Sequence, residues 1–186
     1  VSEKKMNIVC VGKGHLTVHR ISDGKILKQV QFEGNDEINF ENWSIAGAAV
    51  DSTGVIAIVG VLQGDLVVTG FTKSYSLSWV KSFMVPGTIA LPDHVRIFYL
   101  QNSDNFVLIH LYNEGKSLSF YRLNSQGDAA IQGFGLPKAA SFVKPVLLQQ
   151  RGQISVVLDS FVATFRIPRM HTESTSVEWI SSREIA

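Results

Sequence analysis

Turn-forming residues punctuate this chain so often that only short strands fit between them. The separators "GKG", "SDG", "DSTG", "LQGD", "YNEGK", "NSQGD" and "QRGQ" supply the Gly, Asn and Asp that hairpins need at positive φ. Between them lie short stretches rich in β-branched and aromatic residues, such as "HLTVHRI", "VIAIVGVL", "NFVLIHLY" and "FVATFRI". No stretch sustains an apolar period of 3.6 residues over three turns. The pattern predicts fifteen strands and an all-β protein of antiparallel hairpins.

One strand ending recurs. "LTVHRIS" at 16–22, "LSFYRLN" at 118–124 and "VATFRIP" at 162–168 each place an aromatic-type ring, then an Arg, an aliphatic residue and a turn signal. Arg20, Arg122 and Arg166 form a column that Gly70 of "VVTGFTK" completes, with steps of 50, 52 and 44 residues. Around each mark the order is the same: a strand, a hairpin strand, the marked strand, a turn, a further strand. A four-stranded antiparallel unit repeating at this length is the signature of a β-propeller blade. The expected blades are 5–34, 43–86, 93–136 and 142–182. The first lacks a strand, because the chain enters at what is the second strand of the other units. About four consecutive blades of a larger propeller are therefore expected. A two-sheet β-sandwich also shows short strands at this spacing.

The turn after the marked strand, "ISDGKILKQV", resembles the repeat of quinoprotein-type propellers. In that family a Gly stands four residues before a Trp that docks between blades. Here the two marks are split: Gly24 precedes Lys28 and Gly127 precedes Ile131, whereas Trp79 follows Tyr75 and Trp179 follows Thr175. A wedge between twisted sheets suits one large flat side chain, so Trp79 and Trp179 are expected to be largely buried beside a neighbouring blade. Within the superfamily, "LTVHRISDGKILKQVQFEG" and "DSTGVIAIVGVLQGDLVVTGF" are similar to the propeller of the largest subunit of the endoplasmic-reticulum membrane protein complex. That resemblance implies a lumenal, non-enzymatic scaffold in a complex that inserts membrane proteins. Its partners would be other protein subunits.

Composition excludes several other classes. A net charge of +1 offers no field of one sign to a nucleic acid. The apolar run "GVIAIVGVL" at 54–62 is far short of a bilayer span. "VSEKKMN" reads as a point inside a longer chain, so the lack of a visible signal peptide decides nothing. Cys10 is the one cysteine, which removes a vicinal cysteine pair and a Cys-based metal site; within "NIVCVG" it is expected to be buried. His15 and His19 share a strand, where four residues span about 13 Å, too far for one metal. No nucleophile elbow or phosphate loop appears. No catalytic residue, metal or cofactor is expected.

The best surface candidate is "QFEGNDEINFENWS", residues 31–44. Its acids Glu33, Asp36, Glu37 and Glu41 and its aromatics Phe40 and Trp43 have the composition of a partner-contact loop. The plainer reading is a solvated inter-blade loop whose aromatics tuck into the core. The sequon "NWS" makes Asn42 a glycan acceptor if the protein is lumenal. Each column Arg is expected to lay its stem on the core and its head in solvent. Two other functional classes stay open: a cytosolic WD40-like scaffold, and a non-catalytic part of a quinoprotein-type enzyme.

Overall fold

The computed structural model describes residues 7–12, 14–32, 40–84, 90–101, 103–148, 152–168 and 176–185. All fifteen expected strands form. The first sheet holds β1 (Asn7–Gly12), β2 (His15–Arg20) and β3 (Ile26–Gln31). The second holds β4 (Ser44–Val50), β5 (Ile56–Leu62), β6 (Asp65–Phe71) and β7 (Leu77–Phe83). The third holds β8 (Val95–Leu100), β9 (Asn105–Tyr112), β10 (Ser117–Leu123) and β11 (Ala129–Gly135). The fourth holds β12 (Lys144–Leu148), β13 (Gln153–Val157), β14 (Phe161–Arg166) and β15 (Glu178–Glu184). Every sheet is an antiparallel meander in chain order. This is a run of propeller blades, the first of three strands.

Strand alternation explains how the sheets stack. Leu16 and Val18 of β2 meet Ile56, Ile58, Val67 and Phe71 of the second sheet. The opposite face of that sheet, with Val59, Leu66 and Val68, meets Phe106, Leu108 and Tyr121 of the third. The far face of the third, with Val107, Ile109, Leu118 and Phe120, meets Ile154, Val156, Ala163 and Phe165 of the fourth. Both faces of the middle sheets are thus apolar. Their second strands are near-continuous hydrophobic runs because each side of the pleat is covered.

A backbone latch recurs in all four blades. The turn between the second and third strands of a blade accepts a hydrogen bond from the chain leaving its last strand. Phe32 donates to Gly14, Ala90 to Gly64, Ala140 to Gly115 and Ile185 to Ser160, at 2.8–2.9 Å. In the fourth blade the neighbouring Asp159 adds a second hold, accepting from the Ser141 hydroxyl at 2.6 Å and from the Ser141 and Phe142 backbone N–H groups. The Ser141 hydroxyl and these amides hold the Asp159 carboxyl below its usual range.

Two expectations fail here. Cys10 is exposed rather than buried. Its strand, β1, is the edge of the three-stranded sheet, and the face that carries Cys10 and its cross-strand partner Thr17 points away from the second sheet. The arginine column also splits. Arg20 and Arg166 end their strands at the turn and pair with Asp23 and Glu178 at 2.9 Å, with half-exposed side chains. The third strands of blades two and three run further before turning, at Thr72 and Asn124. Arg122 therefore sits two residues inside the turn and is buried, 8% exposed. Its Nη1 donates to the Pro168 carbonyl of the next blade at 3.4 Å, beside Asn105 Nδ2 on the same oxygen. Desolvation lowers the Arg122 pKa.

Candidate interaction surface

The 31–44 stretch divides in two. Glu33, Asp36 and Glu37 lie outside the described residues. Phe40 and Trp43 do not face solvent; they are 4% and 2% exposed. Phe32, Phe40 and Trp43 pack edge-to-face, and Phe71 lies tilted against Phe32, with centroids 5.2–5.7 Å apart, between blades one and two. The two aromatics proposed as contact residues are therefore core. The first and second sheets diverge at that point, and burying large rings fills the wedge. Glu41 and Asn42, on the same short 3-10 turn (Phe40–Asn42), are exposed. Asn42 lies at the mouth of a cleft with Val11, Gly12, Ser44 and Ile45.

The two outer-strand tryptophans are mostly covered, as expected, although each stands on the outermost strand of its blade. They also face opposite neighbours. Trp179 turns back towards blade three, 5.1 Å from Phe165 and 6.1 Å from Phe134 between centroids. Trp79 points forward: its indole N–H donates to the Ser125 carbonyl of blade three at 2.9 Å. A Cβ on Gly70 would stand 2.0 Å from that indole, and one on Gly127 would stand 2.7 Å from it. That is why Gly70 holds a column position where other blades carry Arg. Trp79→Ala is expected to cost about 2–3 kcal/mol, at or below the ~3–5 of a fully buried Trp, since the ring is only partly buried. Urea unfolding with a midpoint unchanged from wild type would contradict this docking.

Equivalent reaches cross the other seams. Lys28 Nζ donates to the Ser74 carbonyl, and Gln132 of β11 bonds both the N–H and the carbonyl of Val177. Each runs from an outer strand to the following blade. Sequence reading singled out Trp79 but missed Lys28 and Gln132, because the three share no residue type and only spacing links them.

The third seam element is a buried histidine. His110 of β9 is 1% exposed, stacks on Tyr112 at 5.5 Å, and its Nδ1 has no hydrogen-bond partner among the described residues. Desolvation, with His94 adding repulsion, lowers its pKa from 6.5 to about 4. The unfolded chain takes up this proton near pH 6.5 and the folded chain only near pH 4. Stability is thus full above pH 6.5 and falls by about 3 kcal/mol as the pH drops from 6.5 towards 4. His110→Gln should flatten that slope in urea titrations run across this range. A slope equal to wild type would refute it. Burial, with Tyr112 nearby, pushes Tyr121 up to about 12, so that phenol stays neutral.

His15 and His19 occupy one face of β2. The His19 Nδ1 contacts the Gly24 carbonyl at 3.2 Å and its Nε2 meets the Thr17 hydroxyl at 2.9 Å, so this ring is spent on its own sheet. Among the described residues no three His, Cys, Asp or Glu side chains converge as a metal would require, and no helix is long and apolar enough to cross a membrane. Large apolar side chains stand exposed along the inter-blade connections: Met84 is 79% exposed, Leu91 49% and Phe142 44%.

Known structures agree with this geometry. The WD40 domain of coronin from Toxoplasma gondii matches with a TM-score of 0.62 at 8% identity, over 91% of this chain and 40% of that one. Hsv2 from Kluyveromyces lactis matches with a TM-score of 0.60 at 12% identity, over 94% of this chain and 57% of that one. The WD40 domain of SCAP from fission yeast matches with a TM-score of 0.55 at 16% identity, over 97% of this chain and 40% of that one. The fold is that of a β-propeller, and this chain spans about half the length of such structures or less. No protein-family model matches the chain, and no curated protein does.

Proposed function

We propose that these blades belong to a non-enzymatic propeller scaffold that binds other proteins. The observation that carries this reading is the exposure of the large apolar side chains Met84, Leu91 and Phe142 on the loops joining consecutive blades. Loops held by a rigid scaffold are where binding residues concentrate, and exposed large side chains there form hot spots. A fission-yeast complex of SREBP and SCAP binding domains, similar to this chain at 15% identity and a TM-score of 0.55, shows a protein of this fold holding a protein partner. Proximity labelling from the full-length protein, repeated with Met84→Ser and Phe142→Ser together, tests it. A reproducible set of labelled proteins that thins in the variant is expected. An unchanged set would overturn it.

Within that reading, the resemblance of residues 16–34 and 51–71 to the lumenal propeller supports a part in a membrane-protein insertion complex of the endoplasmic reticulum. The exposed Asn42 sequon is consistent with it. In eukaryotic cells the full-length protein should carry a glycan that endoglycosidase removes and Asn42→Gln abolishes. A cytosolic protein with no shift on digestion would instead favour a cytosolic WD40-like scaffold, which the structural neighbours support equally.

A further inference from the structure

The seam between blades two and three carries an imidazole where its neighbours on the strand are apolar. β5 and β6 turn Val59, Val61, Leu66 and Val68 to this seam, and β9 turns Phe106 and Leu108 to it. The next residue on that face of β9 is His110, buried and without a hydrogen-bond partner at Nδ1 among the described residues. A neutral ring sits there at modest cost. A charged ring needs water or a counter-ion. No acid at this seam supplies one. Glu114 pairs with Lys116 in the turn beyond Tyr112, Asp104 accepts the Tyr99 hydroxyl, Asp93 is exposed, and alternation puts Asp65 on the far face of β6. The other titratable groups here are the phenols of Tyr112 and Tyr121, the exposed Lys81 of β7, and His94 of the short 3-10 turn Pro92–His94, which repels a second positive charge.

Water has a short way to this ring. A cleft of about 370 Å³ lies between the end of β7 and blade three, with Phe83, Tyr112, Ser119 and Tyr121 among its walls. Tyr112 is the ring stacked on His110, and Ser119 is the cross-strand partner of His110. His110 therefore lies one side chain behind the cleft. Beside the cleft, β7 meets blade three through the Phe83 and Tyr121 rings, 5.0 Å apart. At its other end it is tied by the Trp79 indole to the Ser125 carbonyl. The inner strands β4 and β8 fit more closely: a Cβ on Gly47 would stand 3.3 Å from the Ile97 side chain.

We infer that this seam is an acid-sensitive hinge: protonation of His110 swings Tyr112 aside and parts Phe83 from Tyr121, while the Trp79 end and the inner strands stay closed. In the closed seam His110 takes its proton only at about pH 4, against 6.5 in water. That gap is a factor of roughly 300. An opening disfavoured by less than this at neutral pH is preferred to protonation in place. Unfolding of the whole domain, disfavoured by roughly a thousandfold or more, is not. Parting one pair of rings beside an open cleft is the smaller change, as local openings are. The hinge goes beyond the scaffold reading and does not depend on it.

The test follows ring-to-ring nuclear Overhauser contacts in isotope-labelled protein as the pH falls from about 7 to about 4. The Phe83–Tyr121 contact should fade reversibly, half-lost near pH ~4.5, in step with the shifts of the His110 ring. The Trp79 indole N–H signal and the Gly47–Ile97 contact should persist. His110→Gln should keep the Phe83–Tyr121 contact throughout. Ser119→Asp supplies the missing acid and should let His110 titrate with the seam closed. A wild-type contact that survives the titration of His110, loss of all three reporters together, or the same loss in either variant would overturn the hinge. Should His110→Gln fail to fold, the two wild-type midpoints decide the matter: coincidence supports the hinge, and separation refutes it.

Discussion

Gly115→Ala is expected to destabilise the protein by about 4 kcal/mol, a loss confined to few single substitutions. Gly115 has a φ of 76°, which costs an L-residue about 1 kcal/mol. The larger effect is space: a Cβ there would stand 1.8 Å from the Ala140 carbonyl oxygen. Backbone meets backbone, so no side chain can turn aside. Making room would break the Ala140-to-Gly115 hydrogen bond and shift Ala140, which lies in the core shared by blades three and four. Gly135→Ala is the control, because nothing lies within 4 Å of its added Cβ. Urea unfolding of the two variants reads the contrast. A Gly115 variant within 1 kcal/mol of wild type would show that the latch is not a fixed element of the blade.

Trp43→Ala should cost a similar amount, about 4 kcal/mol, through lost burial and the cavity left behind. Trp43 is 2% exposed and touches Phe32 and Phe40 in the first seam. Its indole lies so close over Gly60 that an added Cβ would stand 2.3 Å from Nε1. The same Nε1 is buried with no hydrogen-bond partner among the described residues. Trp43→Phe removes that unpaired donor as well as part of the ring, so its cost should be only about 1 kcal/mol. Thermal and urea unfolding of the pair distinguish a packing role from a surface one. Equal, small losses for both would mean that the ring is not core.

Much of the architecture was legible in the sequence because blades obey local rules. Strands of period two and glycine-bearing turns are short-range features, and a hairpin meander brings sequence neighbours together. Hence all fifteen strands and the recurring unit could be read without a partner strand being known. The candidate loop was half legible. Its aromatic content was plain, but composition cannot say which way a ring points. Phe40 and Trp43 could be contact residues or core until the second sheet was in place to cover them.

What tertiary structure alone decided is set by contacts across seams. Three outer-strand residues of different chemistry, Lys28, Trp79 and Gln132, reach the next blade because the backbone delivers each to a wedge between sheets. The arginine column looked uniform, yet Arg122 is buried and Arg20 and Arg166 are not, since blades two and three turn later. Cys10 looked like core in "NIVCVG" and is exposed, since no sheet among the described residues covers its face. Periodicity specifies that a strand has two faces. Which face is covered, and by what, depends on residues some fifty positions away, and no short-range pattern carries that information.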